Sequence, residues 1–141
     1  MPHDTARKVF EIEAEAILSL RDRLDAGFDR AVEGLFACQG RVVVTGMGKS
    51  GLIGQKLSAT FASTGTPSHF LHPVEAIHGD LGRIVKGDAV LVISNSGDTA
   101  ELLALLPSLK RLGAFVVAMT GNPRSALAQS ADVHLDVSIR E

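Results

Sequence analysis

Apolar residues recur every three or four positions through Val9, Ile12, Ala16, Leu20, Leu24, Phe28, Val32 and Leu35, the spacing of one helix face. The pattern predicts helix over residues 4–38, with Asp4 as N-cap and Gly27 marking a break that gives two helices. Glu11, Glu15, Arg21, Asp22, Asp29 and Arg30 fall on the opposite, solvated face. After Gln39-Gly40 the period changes. Arg41-Val42-Val43-Val44-Thr45, Asp88-Ala89-Val90-Leu91-Val92-Ile93 and Ala114-Phe115-Val116-Val117-Ala118-Met119 are short runs, apolar on both faces, which predict buried strands. Ser68-His69-Phe70-Leu71 predicts a weaker strand and Val133-His134-Leu135-Asp136-Val137 a last one.

Helical spacing returns between these strands. Leu52, Ile53, Leu57, Thr60 and Phe61 mark one helix, which ends near Gly65, with Pro67 beyond it. Leu102, Leu105, Leu106, Leu109 and Leu112 mark another, over 99–112. Pro107 predicts a kink in it, Lys110 and Arg111 complement its negative end, and Gly113 stops it. Residues 72–80 read as a loop with room for one helical turn, and 124–130 as a short helix. Strands alternating with helices predict an α/β fold: a three-layer sandwich with a five-stranded, mostly parallel sheet flanked by helices. The expected organisation is one domain over residues 1–141, with an N-terminal helical segment at 4–38 and an α/β core at 41–138.

Ligands of such sheets bind beyond the carboxyl ends of the strands. Two glycine- and hydroxyl-rich turns lie on that rim, Gly46-Met47-Gly48-Lys49-Ser50-Gly51 and Ser94-Asn95-Ser96-Gly97-Asp98-Thr99. The second opens a helix whose first N–H groups lack intrahelical partners and whose dipole is positive at that end. Three hydroxyls, a Gly and an Asn in six residues exceed what one N-cap needs. They suit an anion, phosphate above all. In the first turn, Lys49 and Ser50 add a cation and a hydroxyl at another helix start.

Composition narrows the partners. Of the 141 residues 45% are hydrophobic, so some apolar surface is expected to be hidden by a partner chain. The 9–35 stripe packs either on a neighbouring subunit or on its own sheet. The net charge of −2 favours neither nucleic acid nor an anionic membrane. No apolar run approaches the length of a membrane span, and Met1-Pro2-His3-Asp4 lacks the features of a signal peptide. The single cysteine, Cys38, allows no intrachain disulfide and fits a reduced, cytoplasmic setting.

The familiar motifs fail in instructive ways. Gly46-x-Gly48-x-x-Gly51 has the dinucleotide spacing, but Leu71-His72-Pro73 stands where a ribose-binding acid belongs. The nucleotide P-loop needs Gly where Val43 stands. There is no HExxH, paired cysteine or GxSxG elbow. His69, His72, His78 and Glu75 are read as structural or surface residues, so no metal and no cofactor are expected. Glu101 first complements the helix dipole, and second holds a carboxylate near whatever binds at Ser94–Thr99.

The serine turn with Glu101 after it resembles the sugar isomerase (SIS) domain, a phosphosugar-binding module. Gly46–Gly51, Thr60-Phe61-Ala62-Ser63-Thr64-Gly65-Thr66-Pro67, Glu75-Ala76-Ile77-His78-Gly79-Asp80-Leu81-Gly82 and Ile93–Gly97 further resemble D-arabinose-5-phosphate isomerases. That family interconverts D-ribulose 5-phosphate and D-arabinose 5-phosphate for the octulosonate of lipopolysaccharide or capsule. The resemblance implies that Ser94, Asn95, Ser96, Gly97 and Thr99 hold the phosphate, with Gly48 and Ser50 near the substrate. It implies that Lys49, His78 and Glu101 face the reacting carbons. It also implies a homodimer or homotetramer. Family members usually continue into a loop with a Glu, a final helix carrying a His that enters a neighbour's site, and two CBS modules. The chain is therefore expected to be a C-terminally truncated form, with Glu141 at or beside that Glu position. Two further readings compete: a non-catalytic sugar-phosphate sensor, which needs only the serines, and a dinucleotide oxidoreductase, which lacks its ribose acid. An isomerase of another phosphosugar stays within the first class.

Overall fold

A computed structural model describes residues 1–139; Glu141 lies outside the described residues. Two helices open the chain, α1 (Pro2–Arg21) and α2 (Ala26–Phe36). The break falls at Asp22–Asp25, before Gly27. Asp25 adopts an extended backbone, and its carboxylate accepts from Gly27 N (2.8 Å) and Phe28 N (3.3 Å). That cap satisfies the Gly27 N–H, adds a second acceptor for Phe28 N, which also reaches Asp25 O (3.0 Å), and puts Gly27 inside α2. Asp4 likewise lies in the first turn of α1 and does not cap it, because Pro2 already suits the first helical position.

The core strands are β1 (Val42–Gly46), β2 (Ser68–Phe70), β3 (Ala89–Ile93), β4 (Phe115–Thr120) and β5 (Val133–Asp136). Their order is β2-β1-β3-β4-β5, and every neighbouring pair is parallel. Between them run α3 (Gly48–Ser63), α4 (Pro73–Ile77), α5 (Ala100–Leu112) and α6 (Ala126–Ser130). The 72–80 segment holds more structure than one turn. His72 Nδ1 accepts from Val74 N (3.3 Å) at the start of α4, and a 3-10 turn follows at Asp80–Arg83. Helix α5 runs as one element through Pro107, whose ring nitrogen cannot donate to the Leu103 carbonyl.

Alternation along the strands splits the core into two layers. Val43, Val90, Val92, Val116 and Ala118 pack with Leu102, Leu105 and Leu109 of α5. Val42, Val44, Leu91, Ile93 and Val117 pack with Ala31 of α2, Leu57 and Phe61 of α3, and Phe70 of β2. Val43, Val44, Val90 and Val117 have no exposed surface, and each such side chain is worth about 1.5–3 kcal/mol relative to leaving it in water. No residue of α1 is buried in this way. Val9, Ile12, Phe10 and Ile17 stay largely exposed, so the α1 part of the stripe does not pack on its own sheet, whereas the α2 part does, through Leu35 beside Ala31. The α1–α2 connection is instead latched to the end of β5, where Arg23 Nη1 donates to Ser138 Oγ (2.7 Å) and meets Asp136 at 3.3 Å. Burial acts to raise the Asp136 carboxyl. The Ser138 hydrogen bonds, Arg23 and His134 outweigh it and hold the carboxyl below its ordinary value.

Candidate functional site

In the order 2-1-3-4-5 the chain leaves β1 toward one edge and β3 toward the other. The connections that leave their carboxyl ends therefore run in opposite directions, on either side of a crevice at the switch point. Gly46 pairs with Ile93 at that end, so the residues that follow each are brought to the same place. After β1 come Met47 and the first turn of α3; after β3 come Ser94–Thr99 and α5.

The first of these turns is built by close approach. A Cβ on Gly51 would lie 2.7 Å from the Gly46 carbonyl oxygen, and one on Gly46 would lie 3.0 Å from that of Ile93. Glycine at both places seats the start of α3 directly on the sheet. Gly48 has open space around it but a φ of +54°, so conformation rather than crowding calls for glycine there. Gly48-Lys49-Ser50-Gly51 is thus the first helical turn, not a loop before it. Lys49 is exposed and Ser50 half-buried.

The serine turn is folded around its own hydroxyls. Ser94 is 4% exposed. Its Oγ accepts from Gly97 N (3.1 Å) and shares a hydrogen bond with Thr99 Oγ1 (2.9 Å). Ser96 Oγ accepts from Asp98 N (3.3 Å), while Asn95, Ser96 and Asp98 remain exposed. Thr99 is the N-cap of α5 with an extended backbone and makes no side-chain cap. The first N–H groups of α5 are therefore left without a side-chain partner at the carboxyl end of the sheet. Ser94 and Thr99 brace the turn, and Ser96 presents a hydroxyl to solvent.

Of the three residues expected at the reacting carbons, Lys49 stands in the first turn of α3. Glu101 is half-buried in the first turn of α5, and His78 is the exposed C-cap of α4. Helix α4 packs on α5, which joins the elements carrying His78 and Glu101. None of the three enters an ion pair among the described residues. No group of three His, Cys, Asp or Glu among the described residues could hold a metal ion.

Sequence reasoning missed the scaffold beneath the serine turn. Ser94 N donates to Met119 O (3.0 Å), Gly121 N to Asn95 O (2.8 Å), Leu127 N to Gly97 O (3.0 Å) and Ala126 N to Asp98 Oδ1 (2.9 Å). Gly97 has a φ of +72° and lies against buried Ser125, which caps α6. The available signal was Thr120-Gly121-Asn122-Pro123, a turn at the end of the next strand.

The chain is 55% identical over 135 residues to arabinose 5-phosphate isomerase KdsD of Pseudomonas aeruginosa, covering 96% of this chain and 41% of that protein. It therefore spans about two fifths of the length of the curated relatives it matches. The solved structure of E. coli CFT073 c3406 in complex with arabinose 5-phosphate superposes with a TM-score of 0.85 at 43% identity, covering 99% of this chain and 76% of that one. The sugar isomerase domain of the RpiR transcription factor from Sphaerobacter thermophilus shares the fold at a TM-score of 0.80 and 20% identity, covering 96% of this chain and 76% of that one. The SIS domain model matches residues 35–141, and the chain belongs to the SIS domain family.

Proposed function

We propose that this domain is the isomerase module for D-arabinose 5-phosphate and D-ribulose 5-phosphate. The observation that carries the reading is the convergence of two turns at the β1/β3 switch point. One is an anion cradle, Ser94–Thr99; the other starts α3 with Lys49. Glu101 follows in the helical turn that the cradle opens. A sugar-phosphate sensor needs the cradle alone. A lysine, a carboxylate and a histidine on the elements around it are what proton transfer requires.

The phosphate lies on Ser96, the Asn95–Thr99 backbone and the start of α5, with Ser94 and Thr99 bracing the turn. Gly48 and Ser50 flank the sugar. A base, Glu101 or His78, removes the C2 proton of the aldose. The electron pair forms the C1–C2 double bond, and the C1 carbonyl oxygen becomes the enediolate oxygen, stabilised by the Lys49 ammonium. The proton returns to C1, and the hydrogen of the C2 hydroxyl passes to the C1 oxygen as the ketone forms. Atoms balance without an external oxidant or reductant. Phosphate binding away from the reacting carbons holds C2 in place.

The exposed apolar surface of α1 supports a homodimer or homotetramer, and one free cysteine fits the cytoplasm. Interconversion of the two pentose phosphates is the direct test, with Glu101→Gln and Ser96→Ala alongside. Ligand retained with turnover lost in Glu101→Gln supports the isomerase. Ligand bound without turnover in the unmutated chain favours a sensor, or a site completed by residues beyond this chain. No binding of either pentose phosphate overturns the reading.

A further inference from the structure

The amino edge of the sheet, opposite the serine turn, carries a second set of positive groups. A cavity of about 460 Å3 opens there, lined by Arg41, His69, Arg83 and Asp88 among others. His69 pairs with Val43 in the parallel ladder. Parallel partners share a face, so the ring lies on the α5 side of the sheet, toward the 3-10 turn that carries Arg83. Both ring nitrogens are buried, and neither has a hydrogen-bond partner among the described residues. A neutral imidazole offers one donor and one acceptor, and a buried pair left unused is rare in a folded protein.

The charges around the ring are unbalanced. Burial first, then Arg83 and Arg41, disfavour a protonated His69; Asp88 alone opposes them. The Asp88 carboxylate is already engaged, since Oδ1 accepts from Arg41 N and Oδ2 from Val85 N, each at 2.8 Å. Arg83 meets Asp80 at 3.6 Å in an exposed pair, a contact weak enough to yield to a better acceptor. The Arg41 guanidinium is in no ion pair of the described residues.

We propose that this cavity is a phosphate-group site in which Arg41 and Arg83 supply the charge and His69 donates a ring N–H. Two guanidinium groups match a dianion, and the imidazole gains the acceptor it lacks. The site is separate from the serine turn. Ser68–Phe70 are in register with Val42–Val44, in the amino part of β1, whereas the serine turn follows the carboxyl end of β3.

The histidine ring signals of the whole chain, observed by NMR, test this. His69 is identified by its loss in His69→Phe. Inorganic phosphate is added against chloride of equal ionic strength, and a simple phosphomonoester forms a second arm that separates free from esterified phosphate. The His69 signals are expected to move saturably with either form and to do so unchanged in Ser96→Ala. Arg41→Gln/Arg83→Gln is expected to weaken the response about tenfold or more, with its thermal melt confirming that the chain is folded. An equal response to chloride, no response up to tens of millimolar phosphate, an unchanged response in the double variant, or loss of the response in Ser96→Ala overturns the proposal. The last outcome would trace the signal to the serine turn.

Discussion

Gly97 and Ser125 occupy the same small volume from opposite directions. A Cβ on Gly97 would run into the Ser125 side chain, and Gly97 also holds a φ of +72°. The left-handed backbone costs a non-glycine residue about 1–2 kcal/mol before any clash. Gly97→Ala is therefore expected to destabilise the chain by roughly 2–4 kcal/mol and to open the cradle. Denaturant unfolding checks the first effect, and phosphosugar affinity at a temperature where the variant is folded checks the second. Wild-type stability in Gly97→Ala would show that Ser125 moves aside without cost.

Ser94 and Ser96 separate structure from binding. Ser94→Ala strands the buried Gly97 N–H and the Thr99 hydroxyl, a loss of about 1–3 kcal/mol in stability. Ser96 is exposed, and among the described residues its hydroxyl meets only the Asp98 N–H. Ser96→Ala is expected to leave the melting temperature nearly unchanged while weakening phosphosugar binding about tenfold. Calorimetric titration beside thermal melts distinguishes the two. Equal stability losses would remove the distinction.

His69 makes stability depend on pH. Its folded pKa lies below the ordinary value of about 6.5. Below that value the unfolded chain takes up a proton that the folded chain refuses, so stability falls as pH drops from about 6.5 toward the folded pKa. His69→Phe removes the two unpartnered nitrogens and this titration together. The variant is expected to be more stable, with a flatter profile in that window, in unfolding experiments without phosphate. An unchanged slope would mean that other groups carry the acid sensitivity.

The uncovered face of α1 predicts assembly. Phe10 and Ile17 are 70% and 68% exposed and no residue of α1 is buried, so charge there costs the isolated fold little. Phe10→Asp/Ile17→Asp is expected to lower the solution mass by one assembly step at constant melting temperature when dilute. Light scattering after size exclusion reads the mass. A wild-type monomer, or an unaltered mass in the variant, counts against the assembly.

Much of the fold was legible because each signal was local. Val42–Val44, Ala89–Ile93 and the leucines of α5 carry their own period, and the serine turn advertises its hydroxyls between them. The misses arose where neighbours compete or where distant residues meet. Gly27 reads as the break in sequence, and the break falls before it because two backbone donors reach the Asp25 carboxylate. Gly46 and Gly51 have the dinucleotide spacing without its ribose acid, and only the assembled fold shows that the spacing serves helix-on-sheet contact. The supports of the serine turn come from residues 119–127, and periodicity within one segment cannot report a bond to another. His69 looked like an ordinary strand residue, because its lack of partners is visible only once its surroundings are assembled.

The tethers of the serine turn to residues 119–127 bear on how the cradle can be inherited or transplanted. Met119 O, Gly121 N, Ala126 N and Leu127 N hold the turn in shape without themselves supplying the hydroxyls. A graft of residues 94–99 onto another sheet would carry the chemistry and leave its mould behind. The smallest heritable unit of the proposed anion site is therefore two segments, and sequence drift in the second can undo the shape of the turn with every serine intact.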